Sequence, residues 1–310
     1  MNPYKGCLVA LVTPFRNGAI DWPAVDDLVE RVIAGGVSGL VPCGTTGEAP
    51  TLTGEEQRDL VGAVVRKAKG RVPVVAGTGS NCTARTLELS KAAMSAGANG
   101  VMLVSPYYNR PNQDGLYQHF SHVAQRIGAP VMLYNIPGRT AVEISVETIA
   151  RLHADHPNIV AVKHATGSVD GASELAKASD IAILSGDDTL TLPLMSIRAV
   201  GVVSVVANLM PAEMSALTSA ALDRDWDEAR RRHDALFPLM RDLLRLDTNP
   251  IPIKTALAIR GQMAEEFRLP MCPLDGVKRK KLEALLKRYP PASRGREVGA
   301  NRPTGVRNPE

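Results

Sequence analysis

Aromatic residues and cysteine are both scarce in this sequence, and long apolar runs are missing from it. Of 310 residues, 4% are aromatic and four are cysteine. No run approaches the roughly 18 consecutive apolar residues that a membrane helix needs. The first apolar run is short, ends at Thr13-Pro14 and lacks the charged-then-apolar design of a signal peptide. We therefore expect a cytoplasmic protein with no membrane partner.

The cysteines and histidines do not predict a metal site. The cysteines are too scattered for a disulfide framework or a CxxC zinc site, so we expect buried thiols. His119/His122 and His153/His156 have a three-residue spacing that can hold a metal on a helix. Neither pair has a cysteine or carboxylate cluster beside it, so solvent-facing helix positions are the stronger interpretation. The cysteines are Cys7, Cys43, Cys82 and Cys272.

The charge of the chain does not favour nucleic acid as a partner. The formal net charge is only +4. The segment 290–310 holds four arginines and two glutamates, a net charge of +2, which is half of that excess. This segment is rich in proline and glycine and has no aromatic residue, so we predict that it is disordered.

Eight short apolar runs, rich in β-branched residues, recur along the first two thirds of the chain. Each run is nearly continuous rather than alternating, which is typical of parallel strands buried on both faces. Amphipathic stretches of helical length separate them. Asp21 is a predicted N-cap of the first stretch, and Thr53 with Glu56 predicts a capping box at the second. The runs are 7–14, 38–44, 73–79, 100–108, 130–137, 159–166, 181–187 and 201–208.

Eight strand–helix units predict an α/β fold, a (β/α)8 or TIM barrel. A doubly wound sheet is the alternative, but it often carries a glycine fingerprint after the first strand, and TPFRNG has none. Beyond residue 208 the pattern is helical only. We predict a barrel over 1–224, a C-terminal helical extension over 225–289 and a disordered tail over 290–310.

Lys163 is the strongest candidate for a reactive side chain. It stands inside the apolar run 159–163, in a predicted strand whose carboxyl end faces the expected active site. Burial disfavours the ammonium form, and neutral amine attacks a ketone to form a Schiff base. The alternative is a lysine that reaches out of the barrel mouth to an anion. The residues alone leave both open, with Schiff-base chemistry favoured.

Other polar residues stand at the same mouth of the predicted barrel: Tyr134 on the fifth strand, Arg139 in the loop after it, and two threonines after the second strand. Tyr134 can relay protons to that amine or simply pack in the core. Arg139 can bind a substrate carboxylate or form a surface ion pair. Thr45 and Thr46 lie in the turn GTTGE, which can cradle a phosphate, present a nucleophile or end a strand.

An ordered set of motifs resembles the dihydrodipicolinate synthase and N-acetylneuraminate lyase superfamily. Each motif is weak alone, but together they cover roughly residues 4 to 290. Because it has the arginine in YNIPGRT, the chain resembles the synthase branch of the superfamily; sialate lyases lack this arginine. The motifs are GTTGE (44–48), YYNRP (107–111), YNIPGRT (134–140) and VAVKHATG (160–167), followed by LSGDD, GVVSVVAN and NPIPIK.

The resemblance implies a reaction and its catalytic residues. The reaction is the Schiff-base condensation of pyruvate with L-aspartate 4-semialdehyde in lysine and diaminopimelate biosynthesis, with no metal or organic cofactor. Lys163 would form the Schiff base. Tyr134, Thr45 and Tyr108 would form a proton relay.

The resemblance also implies the residues that bind the substrates and the second subunit. Thr46 would bind the pyruvate carboxylate together with its neighbour in the turn, and Arg139 the carboxylate of the semialdehyde. Gly186 and the backbone of Val203 would line the pocket. Tyr107 would enter the site of a neighbouring subunit, in a homotetramer built from two dimers.

The sequence departs from the family pattern at two places. His164 replaces an acidic residue common after the Schiff-base lysine, and strand alternation directs it away from the pocket. Arg85, Gly54 and Gln57 stand at the positions of the family's lysine-feedback site. Because an arginine repels a cationic effector, we predict weak or absent inhibition by L-lysine.

Two other functions stay open at this point. One is another pyruvate-dependent aldolase that acts on a sugar acid or a related 2-oxo acid; Arg139 speaks against it. The other is a non-catalytic barrel that binds a metabolite. The joint presence of Lys163, Tyr134 and Tyr108 speaks against that second possibility.

Overall fold

Eight parallel strands form one sheet in this computed structural model, which describes residues 4–290. In the order of hydrogen-bonded neighbours they run β2-β1-β8-β7-β6-β5-β4-β3. A parallel bridge between Leu40 and Val74 joins the two ends, where the Leu40 N–H donates to the Pro73 carbonyl at 2.9 Å. The barrel predicted from the sequence is confirmed. Its strands are β1 Gly6–Ala10, β2 Gly39–Val41, β3 Val75–Gly77, β4 Gly100–Val104, β5 Val131–Asn135, β6 Ile159–His164, β7 Ala182–Ser185 and β8 Gly201–Ser204.

Helices surround the sheet and continue beyond it. A small antiparallel pair, Phe15–Arg16 with Ala19–Ile20, precedes the first helix. The helices are α1 Trp22–Ala34, α2 Gly54–Ala68, α3 Thr83–Ser95, α4 Gln113–Ile127, α5 Pro137–Thr140, α6 Val146–Asp155, α7 Val169–Ala178, α8 Thr191–Ser196, α9 Pro211–Leu222, α10 Trp226–Leu246, α11 Ile251–Ile259 and α12 Gly276–Leu286.

Local sequence signals start the first two helices as predicted. The Asp21 carboxylate accepts from the Ala24 N–H at 3.3 Å and caps α1. At α2, the Thr53 hydroxyl accepts from the Glu56 N–H at 3.1 Å, and the Glu56 carboxylate accepts from the Thr53 N–H at 2.9 Å. Both caps satisfy backbone donors that a helix start leaves without intrahelical partners.

The apolar side chains form two clusters, one inside the sheet and one between the sheet and the helices. Tyr134, Ala161 and Val203 belong to the inner cluster. Since strand side chains alternate with a period of two, Lys163 lies on the same inner face as Ala161. The strands therefore bring the expected lysine and tyrosine into the interior.

The outer apolar cluster extends without a break from the barrel into the C-terminal helices. Leu239 of α10 and Leu282 of α12 belong to it. The division expected at 224/225 falls in the turn between α9 and α10, and a separate domain over 225–289 stays a prediction. Of the predicted tail, residues 291–310 lie outside the described residues.

The expectation of buried thiols is wrong for two of the four cysteines. Cys7 and Cys43 are buried, but Cys82 and Cys272 are exposed. Cys82 is the N-cap residue of α3, and Cys272 lies in the irregular segment before α12, so neither is on a face that packs against the core. Within 4–290, no helix combines the length and the apolar character needed to cross a membrane.

Candidate active site

The amine of Lys163 lies over the ring of Tyr134. The two residues are paired in register on β6 and β5, and the Nζ atom is 4.1 Å from the ring centre. Both side chains are buried. An aromatic face attracts an ammonium and can also pack against a neutral amine, so the ring restricts the position of this nitrogen.

The turn Gly44–Glu48 is closed by its own backbone and by a neighbouring hydroxyl. The Gly47 N–H donates to the Gly44 carbonyl at 3.1 Å, and the Glu48 N–H donates to the Thr45 carbonyl at 3.1 Å. The Thr13 hydroxyl donates to the Gly47 carbonyl at 2.6 Å. A Cβ at Gly47 would lie 3.0 Å from the Leu11 carbonyl oxygen, a distance that only glycine accommodates easily.

Asn249 connects this turn to the predicted carboxylate-binding arginine. Its side-chain Nδ2 donates to the Thr46 hydroxyl at 2.9 Å, and its backbone carbonyl accepts from Arg139 Nη2 at 3.0 Å. Sequence reasoning missed this residue. NPIPIK was noted only as a family-like stretch, although an asparagine between a helix and two prolines was a visible polar candidate.

A cavity of about 350 Å³ opens beside these residues. Thr45, Tyr134 and Arg139 line it, with Tyr107 at one side. Arg139 is exposed and lies in the one-turn helix α5 rather than in the expected loop, so its guanidinium is at the rim. Lys163 does not line the cavity itself, but its amine packs over the ring of Tyr134, which does.

Gly186 and Val203 are not part of the cavity wall. Val203 is fully buried in the inner apolar cluster. The Gly186 N–H donates to the His164 carbonyl at 2.7 Å, and a Cβ at Gly186 would lie 2.5 Å from the Cβ of Ala165. Gly186 therefore lets the ends of β6 and β7 approach closely, and neither residue lines the cavity of this single chain.

The structure separates the two neighbouring tyrosines. Tyr107 lines the cavity of its own chain, whereas Tyr108 is 90% exposed and does not line it. Tyr108 has a φ of 74°, a left-handed backbone conformation that is uncommon for a residue other than glycine. The entry of Tyr107 into a neighbouring site and the place of Tyr108 in the proton relay stay predictions.

Two carboxyl groups, Asp187 and Asp188, follow β7, and the first of them is close to the lysine. Burial raises the pKa of Asp187, and the nearby charges of Lys163 and His164 oppose that rise. Burial also raises the pKa of Asp188, whose carboxylate accepts from the Ser204 hydroxyl and from the N–H groups of Val205 and Val206, both at 3.0 Å. Asp188 thus fixes the turn after β8. Asp187 places a carboxyl group near the amine.

His164 points away from the site, as strand alternation predicts. Its Nε2 is 2.8 Å from the Ser168 carbonyl oxygen and 2.9 Å from the Thr166 hydroxyl, in the connection to α7. The side chain therefore supports a loop on the outer face.

The histidine pairs are not uniformly solvent-facing as expected. His119 and His156 are buried because each packs between helices. His119 Nδ1 is 2.9 Å from the Thr83 hydroxyl, and His156 Nε2 is 2.8 Å from the Ser121 hydroxyl. Across 4–290 there is no group of three or more His, Cys, Asp or Glu side chains that could hold a metal ion.

Comparison with known proteins decides the family. The model of the dihydrodipicolinate synthetase family matches residues 3–289. The chain belongs to this family. It is 49% identical over 288 residues to the 4-hydroxy-tetrahydrodipicolinate synthase of Pelobacter propionicus, an alignment that covers 92% of this chain and 99% of the relative.

Solved structures of the family have the same fold. The dihydrodipicolinate synthase from Aquifex aeolicus superposes with a TM-score of 0.91 at 45% identity, over 92% of this chain and 98% of that one. The 4-hydroxy-tetrahydrodipicolinate synthase from Methylacidiphilum fumariolicum SolV gives 0.90 at 48% identity, over 92% and 95%. The similarity therefore spans the barrel and the C-terminal helices together.

Proposed function

We propose that this chain condenses pyruvate with L-aspartate 4-semialdehyde to give 4-hydroxy-tetrahydrodipicolinate, the committed step towards diaminopimelate and lysine. The similar curated proteins carry the name of this activity. The observation that carries the assignment is the buried amine of Lys163 against the ring of Tyr134, a residue that lines the same cavity as Arg139.

The chemistry begins on the lysine. The neutral amine of Lys163 attacks the ketone carbon of pyruvate, and loss of water gives a protonated imine. The Tyr134 phenol donates a proton to the departing hydroxyl, and the phenolate then accepts a proton from the methyl group. The product of these steps is an enamine, with the imine nitrogen as the electron sink.

Carbon–carbon bond formation follows on the enamine. Its nucleophilic carbon attacks the aldehyde carbon of the semialdehyde, and the aldehyde oxygen takes up a proton. The amino group of the semialdehyde then attacks the imine carbon, the ring closes and the Lys163 amine leaves. Thr45 and Tyr108 would pass protons to and from Tyr134.

The turn and the rim bind the two carboxylates in this proposal. The N–H groups and hydroxyls of Thr45 and Thr46 suit the small carboxylate of pyruvate, and Gly186 and Val203 shape the space behind it. Arg139 suits the carboxylate of the semialdehyde. A guanidinium has five N–H donors, so the contact with Asn249 leaves donors for that substrate.

The position of Tyr108 supports an assembly of several subunits. A relay residue that is 90% exposed needs a second copy of the chain to cover it and to receive it. We propose a homotetramer of two dimers in which Tyr108 reaches the site of a second copy. Light scattering on the purified protein, combined with activity of Tyr108→Phe, tests both parts. We also expect a cytoplasmic location, which cell fractionation would check.

Borohydride reduction in the presence of pyruvate tests the proposed chemistry. It should convert the Lys163 amine to a secondary amine that carries a 1-carboxyethyl group, an added mass of lactyl size on the peptide that contains Lys163, as detected by mass spectrometry. Absence of this adduct would contradict every Schiff-base mechanism and favour a metabolite-binding barrel. Coupled assays with L-aspartate 4-semialdehyde and with N-acetylneuraminate then separate the synthase from a sugar-acid aldolase.

A further inference from the structure

A buried ion pair joins the C-terminal extension to the turn Gly44–Glu48. Lys254 Nζ, from α11, contacts Glu48 Oε1, and the side chains are 0% and 1% exposed, respectively. Glu48 is the last residue of the turn that holds Thr45 and Thr46. Neither charged residue lines the cavity, so the pair acts from outside the space that substrate would occupy.

Both charges have further partners. Lys254 Nζ lies 4.4 Å from the ring centre of Phe15 and 4.8 Å from that of Phe267, and aromatic faces stabilise a cation. Glu48 Oε2 accepts from the Arg268 backbone N–H at 3.2 Å. Burial lowers the pKa of Lys254, and the charge of Glu48 opposes that change. Each charge of the pair therefore has a further stabilising contact: the ammonium lies near two aromatic rings, and the carboxylate accepts a second hydrogen bond.

Stability alone does not account for such a pair. A buried ion pair is often no more stabilising than apolar side chains of the same shape, because both ions lose their hydration. The pair does, however, fix the positions of the two segments that carry its residues relative to each other. One of these segments is the turn Gly44–Glu48.

The Glu48 backbone shows what this geometry fixes. Its φ of 54° is left-handed, which is uncommon for a residue other than glycine. Its N–H donates to the Thr45 carbonyl at 3.1 Å, which connects it to the peptide next to Thr46. A side chain anchored to Lys254 therefore restrains the peptide between Thr45 and Thr46, and Thr45 lines the cavity.

We propose that the Lys254–Glu48 ion pair positions the Thr45–Thr46 backbone for the carboxylate of pyruvate, so that α11 is a positioning element of the site. The two residues are positioning residues that do not contact substrate. This inference rests on the proposed function, because it takes pyruvate as the ligand of the turn. Its consequence is selective: loss of the pair weakens pyruvate binding and leaves recognition of the semialdehyde largely unchanged.

The test is a double variant, Glu48→Gln with Lys254→Met. Removal of one partner alone leaves an uncompensated buried charge, whereas the double variant removes both charges and keeps the shapes. The amide oxygen of the introduced glutamine would still accept from the Arg268 N–H. We expect thermal unfolding close to the parent, and a rise of about 10- to 100-fold in the pyruvate concentration that half-saturates borohydride trapping at Lys163. The KM for the semialdehyde should stay near the parent value.

The matched control is the double variant Lys278→Met with Asp247→Asn. That ion pair, at 2.7 Å, also lies in the extension but makes no described contact with the turn. We expect parental trapping from it. An equal shift in both double variants, or parental trapping by a folded Glu48→Gln/Lys254→Met protein, would overturn the inference. Absence of any adduct in the parent would instead contradict the proposed function.

A second variant covers failure of the first to fold. Glu48→Asp keeps both charges but withdraws the carboxylate by one methylene, which pulls the turn and α11 out of register. We expect a several-fold rise in half-saturating pyruvate at an unchanged KM for the semialdehyde. Unchanged trapping in folded Glu48→Asp protein would also overturn the inference.

Discussion

The amine nitrogen of Lys163 lies 4.1 Å from the centre of the Tyr134 ring, on two strands whose register pairs these residues. Neighbouring strands of a closed sheet hold their side chains at fixed spacing. The proposed nucleophile and its proposed proton carrier are therefore parts of one rigid unit, and each can be altered separately.

Replacement of Lys163 by methionine should abolish the pyruvate adduct and reduce turnover to background. Methionine fills the same buried space but has no amine to attack a ketone. Mass spectrometry after borohydride reduction, with thermal unfolding to verify the fold, is the measurement. Turnover that survives in a folded Lys163→Met protein would contradict the assigned role.

Replacement of Tyr134 by phenylalanine removes the hydroxyl and keeps the ring, so it should show what each of the two groups contributes. The ring still packs against the Lys163 amine, so pyruvate should still be trapped. Loss of proton transfer should lower kcat by about 10²- to 10⁴-fold. Steady-state assays with both substrates check this, and a kcat near that of the parent would rule out Tyr134 as the proton carrier.

Replacement of Arg139 by methionine should raise the KM for the semialdehyde and leave pyruvate trapping unchanged. Loss of a charge-assisted contact corresponds to about 10- to 100-fold in KM. Arg126→Met is the control, since Arg126 is another exposed arginine that donates to a backbone carbonyl, at 3.0 Å. An increase confined to pyruvate would contradict the assignment of Arg139.

L-Lysine should inhibit weakly or not at all. Arg85 is ion-paired with Glu88 at 2.6 Å, and a Cβ at Gly54 would lie 2.6 Å from the Arg85 guanidinium, so the arginine fills that space. A positive guanidinium repels the ammonium of lysine. Titration of the purified enzyme with L-lysine is the measurement, and micromolar inhibition would disprove the prediction. Arg85→Glu should increase the sensitivity.

Glu56 should contribute stability that is lost in acid. Its hydrogen bonds with the Arg268 side chain lower its pKa from 4.5 to about 2. A carboxyl group with a depressed folded-state pKa stabilises the protein above pH 4.5, and this contribution falls as the pH drops towards about 2. Glu56→Gln should therefore unfold at a lower temperature at pH 7 and show a smaller further decrease over that acid range. Glu55→Gln, next to it on the same helix, should behave like the parent.

Local patterns predicted most of the fold because they depend on neighbours in the sequence. Asp21 and Thr53 start their helices with bonds to residues three positions away. Lys163 was assigned to the interior because it stands inside the apolar run 159–163. The apolar run 100–108 was longer than strand Gly100–Val104, since hydrophobicity does not mark where ladder hydrogen bonds end.

The site itself could be predicted only in part, because some of its contacts are long-range. Asn249 reaches Thr46 across 203 positions, and Lys254 reaches Glu48 across 206. The spacing of residues along the sequence does not indicate contacts between partners that are so far apart. Tyr108 is 90% exposed in a loop and has a left-handed backbone conformation, which residue types alone do not specify.

The order in which the chain is made gives the contacts of the extension another meaning. When only the barrel has emerged from the ribosome, Lys163, Tyr134 and the turn with Thr45 and Thr46 have already been synthesised. Asn249, Lys254 and Arg268, which hold that turn and the rim arginine, emerge last. A truncated or unfinished chain would therefore carry a reactive amine in an incompletely assembled site, and competence for catalysis would coincide with completion of the protein.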